Sequence, residues 1–178
     1  MSAVISYVGA RFPINIPRVT LVYGSTSNGG YSPSRPHNGL DMSPYPGAYG
    51  EPIYAAWSGV VVATGDHDTA GNYVIYDVRF PFQLGTVTQD GTWEEFPPGT
   101  VFTVHNYHLQ DIYVQPGQVI RVGDKIGANG STGRSSGAHL HFEVRVKGRG
   151  KFRVDPMHFL ISTIPGLHDE LIFTRNSS

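Results

Sequence analysis

The chain has 178 residues and a mass of 19.4 kDa, which suits one domain with decorated ends and leaves little room for two. A hydrophobic fraction of 39 % is enough for a core, and 22 Gly with 13 Pro mark a chain rich in turns rather than a disordered one. A net charge of −1 and a pI near 6.7 argue against a nucleic-acid binder, and the absence of Cys excludes a disulfide framework, a thiolate metal site and a cysteine nucleophile.

Residues 1–30 read as an N-terminal extension packed on the domain. They open MSAVISYVGARFP, with no basic residue ahead of the short apolar stretch, and so do not read as a signal peptide. No apolar run approaches the ~18 residues of a membrane span. Strand-like runs rich in Val, Ile, Tyr and Thr follow at Val19–Tyr23, Ile53–Ala56, Gly59–Thr64, Tyr73–Val78, Val101–Tyr107, Val119–Ile120, Lys125–Ala128 and His139–Val146. A polar, Pro- and Gly-bearing insertion at 79–100 interrupts them and is expected to form a hairpin and a groove wall. The basic cluster Arg145, Lys147, Arg149, Lys151 and Arg153 reads as a solvated hairpin. Only Pro156–Ser162 reads as a helix, with Asp155 as N-cap and Pro156 at the first helical position. The tail 163–178 carries Leu171, Ile172 and Phe173, and is expected to dock on the domain or on a partner. The class is mainly β with one short C-terminal helix.

Eight histidines carry the chemical information. In His37-Asn38-Gly39-Leu40-Asp41, a straight strand would hold the His and Asp about 13 Å apart, at ~3.3 Å per residue. Gly39 permits a bend that brings both side chains to one ion, although Asn38-Gly39 also reads as a plain hairpin turn. In His139-Leu140-His141-Phe142-Glu143 the two histidines share one strand face beneath the glycine-rich run GANGSTGRSSGA, and Leu140 and Phe142 share the other. Two exposed histidines on an edge strand is the plain alternative. His108 is uninformative alone. Zinc takes imidazole and carboxylate ligands where thiolate is lacking, and a hydrolytic site needs three protein ligands and an open position. His37, Asp41 and one of His139 and His141 would supply them, leaving the other and His108 as general base and donor. No HExxH occurs, so a Glu base on a helix is not available. Glu143 shares the His139/His141 face by alternation and either orients a histidine or is a solvated charge. His105 falls on the opposite face from His108 by parity and reads as structural, and His67, His158 and His168 are given no role.

The segments RPHNGLD, YHLQ and VQPGQVIRVGDKIGANGSTGRSSGAHLHFEVR together resemble the lysostaphin-like (LytM-type) zinc endopeptidases in order, spacing and glycine-rich connection. The resemblance spans roughly residues 36–160, with a peptidase domain at 31–162. It implies an antiparallel β-sheet platform with a groove walled by loops. It implies one Zn²⁺ per chain on His37, Asp41 and His141, with His108 and His139 as the catalytic histidines. A tyrosine upstream of the first ligand helps hold the intermediate in the family; Tyr31 is the candidate, with Tyr23 and Tyr45 as competitors. The implied activity is cleavage of peptide cross-links or cross-bridges in bacterial peptidoglycan, on the extracellular or periplasmic side. Some relatives have lost ligands and act as scaffolds, but this chain keeps the full set. Without a signal peptide, a phage virion-associated or lysis enzyme is expected, or a structural component of a phage tail or secretion machine, with a partner docking through 1–30 or 163–178. No nucleic-acid partner is expected. The chain departs from the family pattern in its long 79–100 insertion, in Asn106, and in Ala138 ahead of His-Leu-His.

Overall fold

A computed structural model describes residues 10–26, 31–44 and 49–163. The tail beyond 163, residues 1–9, His168 and Tyr45 lie outside the described residues, and the docking expected of the tail falls outside them too. The described chain forms thirteen strands and one helix. They are β1 (Pro17–Leu21), β2 (Leu40–Pro44), β3 (Pro52–Tyr54), β4 (Gly59–Gly65) and β5 (Asn72–Arg79), followed by β6 (Leu84–Val87), β7 (Trp93–Phe96) and β8 (Val101–Leu109). Then come β9 (Asp111–Ile112), β10 (Val119–Ile120), β11 (Lys125–Ala128), β12 (Leu140–Val146), β13 (Arg153–Val154) and the helix α1 (Pro156–Thr163).

The main sheet has eight strands in the order β1-β2-β12-β8-β5-β4-β10, with β13 paired to β12, and its pairings are antiparallel. Period-two alternation divides it into two faces. Leu140, Phe142 and Val144 of β12, Phe102 and Val104 of β8, and Leu40 and Met42 of β2 are buried on one face. That face is closed by Trp57, Phe80 and Phe159 of α1, whose rings meet at centroid distances between 5.2 and 6.4 Å. The interleaved residues Asp41, Tyr107, His105, His141, Glu143 and Arg145 stand together on the other face.

Asp155 caps α1 as expected, accepting hydrogen bonds from the amides of Met157 and His158. The insertion does form the expected hairpin, β6–β7, and its turn, at Gln89 and Asp90, lines a pocket shared with His37. The hairpin packs along β13 and α1, where the Asp155 amide donates to the Val87 carbonyl and Thr88 bridges to Val154. Leu84 and Phe96 are buried, and these apolar anchors decide its direction. The short strands β2, β6, β7, β9 and β13 were not read as strands from the sequence, because two to five residues seldom show enough alternation to detect.

The walls over the polar face are loops 66–71 and 129–139. They are tied together where the Arg134 amide donates to the Thr69 carbonyl and the Asn72 amide to the Thr132 hydroxyl. Gly71 and Gly133 both hold positive φ, and a Cβ on Gly133 would lie 2.2 Å from the Gly71 nitrogen, so only glycine permits this approach.

Candidate metal centre and active site

β2 and β12 pair so that His141 lies directly opposite Asp41. His37 precedes β2, and the chain bends at Gly39 to return it over Asp41. A Cβ at Gly39 would lie 2.7 Å from both His141 Nε2 and the Phe142 carbonyl oxygen, so the bend requires a residue without a side chain. Three atoms converge as a result: His37 Nε2 is 3.1 Å from Asp41 Oδ1 and 3.1 Å from His141 Nδ1, which is 2.7 Å from Asp41 Oδ1. All three residues are buried and form the one cluster of metal-ligand type among the described residues.

Hydrogen bonds at the far nitrogens fix which lone pairs face inward. His37 Nδ1 lies 3.0 Å from the Val22 carbonyl oxygen, which can only accept, so Nδ1 carries the proton and Nε2 presents its lone pair. His141 Nε2 lies 3.1 Å from Glu143 Oε1, so Nε2 donates and Nδ1 is turned to the centre. Two lone pairs and a carboxylate oxygen therefore point at one another at about 3 Å, the edge of a tetrahedral face around an ion with ~2.0–2.2 Å bonds. The residues fit zinc: two imidazoles, one carboxylate and an open fourth side.

The electrostatics agree. Burial disfavours the charged forms of both His141 and Asp41. The bonds from Asp41 and Glu143 nevertheless raise His141 to about 9, and those from His141 and His37 hold Asp41 far below the usual carboxylate range. Two anions around one ring favour a cation at its Nδ1: a proton at neutral pH in the metal-free chain, which a bound metal ion would displace.

Two further imidazoles border the centre. His139 Nδ1 donates to the Gly137 carbonyl at 2.8 Å, which leaves Nε2 facing Asp41 Oδ2 at 3.8 Å. His108 Nδ1 donates to the Thr132 carbonyl at 2.9 Å, and its ring centroid is 4.9 Å from that of His139. Burial lowers His108 to about 4, so it is neutral at physiological pH with Nε2 as an acceptor. His108 reaches this face because its φ is +65° and the β5–β8 register slips between Asn72 and Val74. That bulge overturns the parity argument for His105, which faces Glu143 in register and therefore shares the site's face. Asn106 turns to the core side and donates to the Val74 carbonyl.

The match to a family profile now has a geometric counterpart: residues 85–156 match Peptidase family M23. The chain belongs to this family. Over 130 residues it is 34 % identical to peptidoglycan DD-endopeptidase ShyA of Vibrio cholerae, covering 73 % of this chain and 24 % of ShyA. It is 31 % identical to lysostaphin of Staphylococcus simulans over 114 residues, covering 64 % of this chain and 20 % of lysostaphin. The chain thus spans about a quarter or less of the length of these curated relatives. Among solved structures, the catalytic domain of lysostaphin superposes with a TM-score of 0.60 at 27 % identity, over 81 % of this chain and 92 % of that one. A zinc-containing peptidase from Vibrio cholerae gives a TM-score of 0.61 at 29 % identity, over 84 % of this chain and 39 % of that one.

In this M23 chain the site includes residues that sequence reasoning missed. The cluster read as a solvated hairpin is corrected in part: Lys147, Arg149 and Lys151 are exposed around the β12–β13 turn, but Arg145 and Arg153 turn inward onto Glu143 Oε2, at 2.6 and 3.0 Å. Alternation along β12 carried that signal, since 141, 143 and 145 share a face. Glu143 is buried and serves His141, so the solvated-charge alternative falls. Arg145 also donates to the Tyr107 hydroxyl, which meets His105 Nδ1 at 2.8 Å, and the Tyr107 ring stacks on His141 at 5.7 Å. The edge-strand alternative for His139 and His141 falls too, because β12 lies between β2 and β8. Tyr31 stands 4.8 Å from His37 by ring centroids, and burial together with Asp41 raises its pKa. Tyr23 lies on the other flank, beside Arg153. His67 bonds within its own turn to Thr69, and His158 bonds Ser162 within α1.

Two outcomes follow. Glu143→Gln should weaken zinc affinity by about 10- to 100-fold in a competitive chelator titration, because the anion that orients His141 is lost; unchanged affinity would contradict this role. His105 is held neutral down to about pH 3 by burial and the adjacent Arg145 charge. The unfolded chain takes up that proton near pH 6.5, so this residue's contribution to stability falls as pH drops from about 6.5 toward 3. His105→Gln should therefore narrow the stability gap between pH 7.5 and 4.5 in urea denaturation; an unchanged gap would contradict it.

Proposed function

We propose that the chain is a zinc-dependent endopeptidase that hydrolyses a peptide bond in bacterial peptidoglycan, acting at the cell wall. The observation that carries this reading is the inward convergence of His37 Nε2, Asp41 Oδ1 and His141 Nδ1, with two more imidazoles at its open side. The names of ShyA, a peptidoglycan DD-endopeptidase, and of the zinc-containing Vibrio cholerae peptidase support it.

His37, Asp41 and His141 would hold one Zn²⁺. When bound, zinc supplies a Lewis acid that acidifies water and polarises the scissile carbonyl. The chain's own groups do the rest. His139 and His108 each keep a proton on Nδ1 by bonding a backbone carbonyl, so each turns Nε2 to the substrate as an acceptor. One takes the proton of the attacking water and passes it to the leaving amine. Tyr31, with its pKa raised, stays protonated and donates its hydroxyl to the developing oxyanion. Tyr107 and Glu143 prevent the His141 ring from turning.

Purified sacculi incubated with the zinc-loaded chain should release new amines, and chelator should abolish this. His108→Ala and His139→Ala should each lower kcat by about 10²–10⁴-fold with zinc content retained, while His141→Ala should lose both zinc and activity. Wall cleavage persisting in a His37→Ala/Asp41→Ala double variant would overturn the assignment.

A further inference from the structure

A pocket of about 290 Å³ opens on the polar face beside the candidate metal centre. The metal-ligand candidate His37 forms part of its wall. The remaining lining comes from three separate places: Tyr23 and Asn38 between β1 and β2, Gln89 and Asp90 at the tip of the β6–β7 hairpin, and Arg153 of β13. The insertion thus reaches the site face with its turn alone.

The lining is charged, polar and underused. Arg153 bonds Glu143 through Nε and the Lys151 carbonyl through Nη1, and Nη2 makes no hydrogen bond among the described residues. Asp90 Oδ1 accepts from Thr88 and Thr92, which fixes the turn, and Oδ2 makes no hydrogen bond among the described residues. The same holds for the side chains of Gln89 and Asn38 and for the Tyr23 hydroxyl, which burial keeps protonated. A guanidinium and a carboxylate therefore flank one pocket, with amide and hydroxyl groups between them.

We propose that this pocket is a substrate subsite for a side chain that ends in a carbon bearing both an ammonium and a carboxylate, as the diaminodicarboxylate residue of a peptidoglycan stem peptide does. Arg153 receives the carboxylate and Asp90 the ammonium. A lysine side chain would leave Arg153 unmatched, and a side chain with a lone carboxylate would be repelled by Asp90. Because His37 belongs to both the pocket and the candidate centre, an occupant lies within one side chain of the reacting bond. The proposal deepens the peptidoglycan reading above and rests on it for the identity of the substrate.

Two measurements test it on the zinc-loaded chain. The first compares kcat/KM on synthetic cross-linked stem peptides that carry diaminopimelate or lysine at the same position. The diaminopimelate substrate should be preferred by about tenfold or more, as one well-placed charge-assisted contact allows. Gln89→Trp, which fills the pocket, should erase that preference through KM, because the diaminopimelate peptide then loses two contacts and the lysine peptide one. Asp90→Asn, whose amide oxygen still accepts the turn bonds, should raise KM for both substrates, because both lose the partner of their ammonium, and should keep the preference that Arg153 confers. Equal cleavage of the two substrates by the unaltered chain, or a preference that Gln89→Trp leaves intact, would overturn the proposal. The second titrates an uncleavable diaminopimelate tripeptide by calorimetry and needs no turnover. Binding that Gln89→Trp abolishes would sustain the pocket even if neither substrate were cleaved, a result that would fell the peptidase reading alone. Absence of binding by the unaltered chain would overturn the subsite.

Discussion

The site depends on which nitrogen of each imidazole carries the proton. His37, His108 and His139 each spend Nδ1 on a backbone carbonyl, and His141 spends Nε2 on Glu143. Every remaining ring nitrogen thereby has a fixed direction, and a bound metal ion would take the place of the proton that His141 otherwise holds there. Two of them meet Asp41 at one point, and the other two border it. A ring released from its anchor could rotate or exchange tautomers, and the same residues would then no longer form a ligand set.

The sheet supplies the anchors. Opposing positions in the β2–β12 and β12–β8 pairings put Asp41, His141 and Tyr107 side by side. Glu143 follows His141 by one alternation and meets the Arg145 and Arg153 guanidinium groups. A buried carboxylate with a single partner would be costly, but here both oxygens are used and the charge is more than balanced. The apolar face of the same strands, closed by Trp57, Phe80 and Phe159, holds the register that keeps this order.

Much of this was legible in the residues. Val119–Ile120 and Lys125–Ala128 coincide with β10 and β11, and the longer strands differ only at their ends. Alternation in His-Leu-His-Phe-Glu placed His139, His141 and Glu143 on one face, and Gly39 signalled the bend that reunites His37 with Asp41. Identification of His141 as the third member of the cluster came from the family resemblance, since the pattern alone admitted either histidine. What stayed hidden depends on long-range contacts. The slip beside His108 arises from pairing with β5, and no feature of Asn106-Tyr107-His108 announces it. The inward turn of Arg145 and Arg153 depends on the burial of Glu143, and the path of the insertion on where Leu84 and Phe96 find a core.

The most direct test is anomalous diffraction at the zinc edge from crystals of the zinc-loaded chain. One strong peak about 2.0–2.2 Å from His37 Nε2, an Asp41 carboxylate oxygen and His141 Nδ1 is the predicted result. A peak bound elsewhere, or one that leaves any of these three atoms out of coordination, would contradict the account.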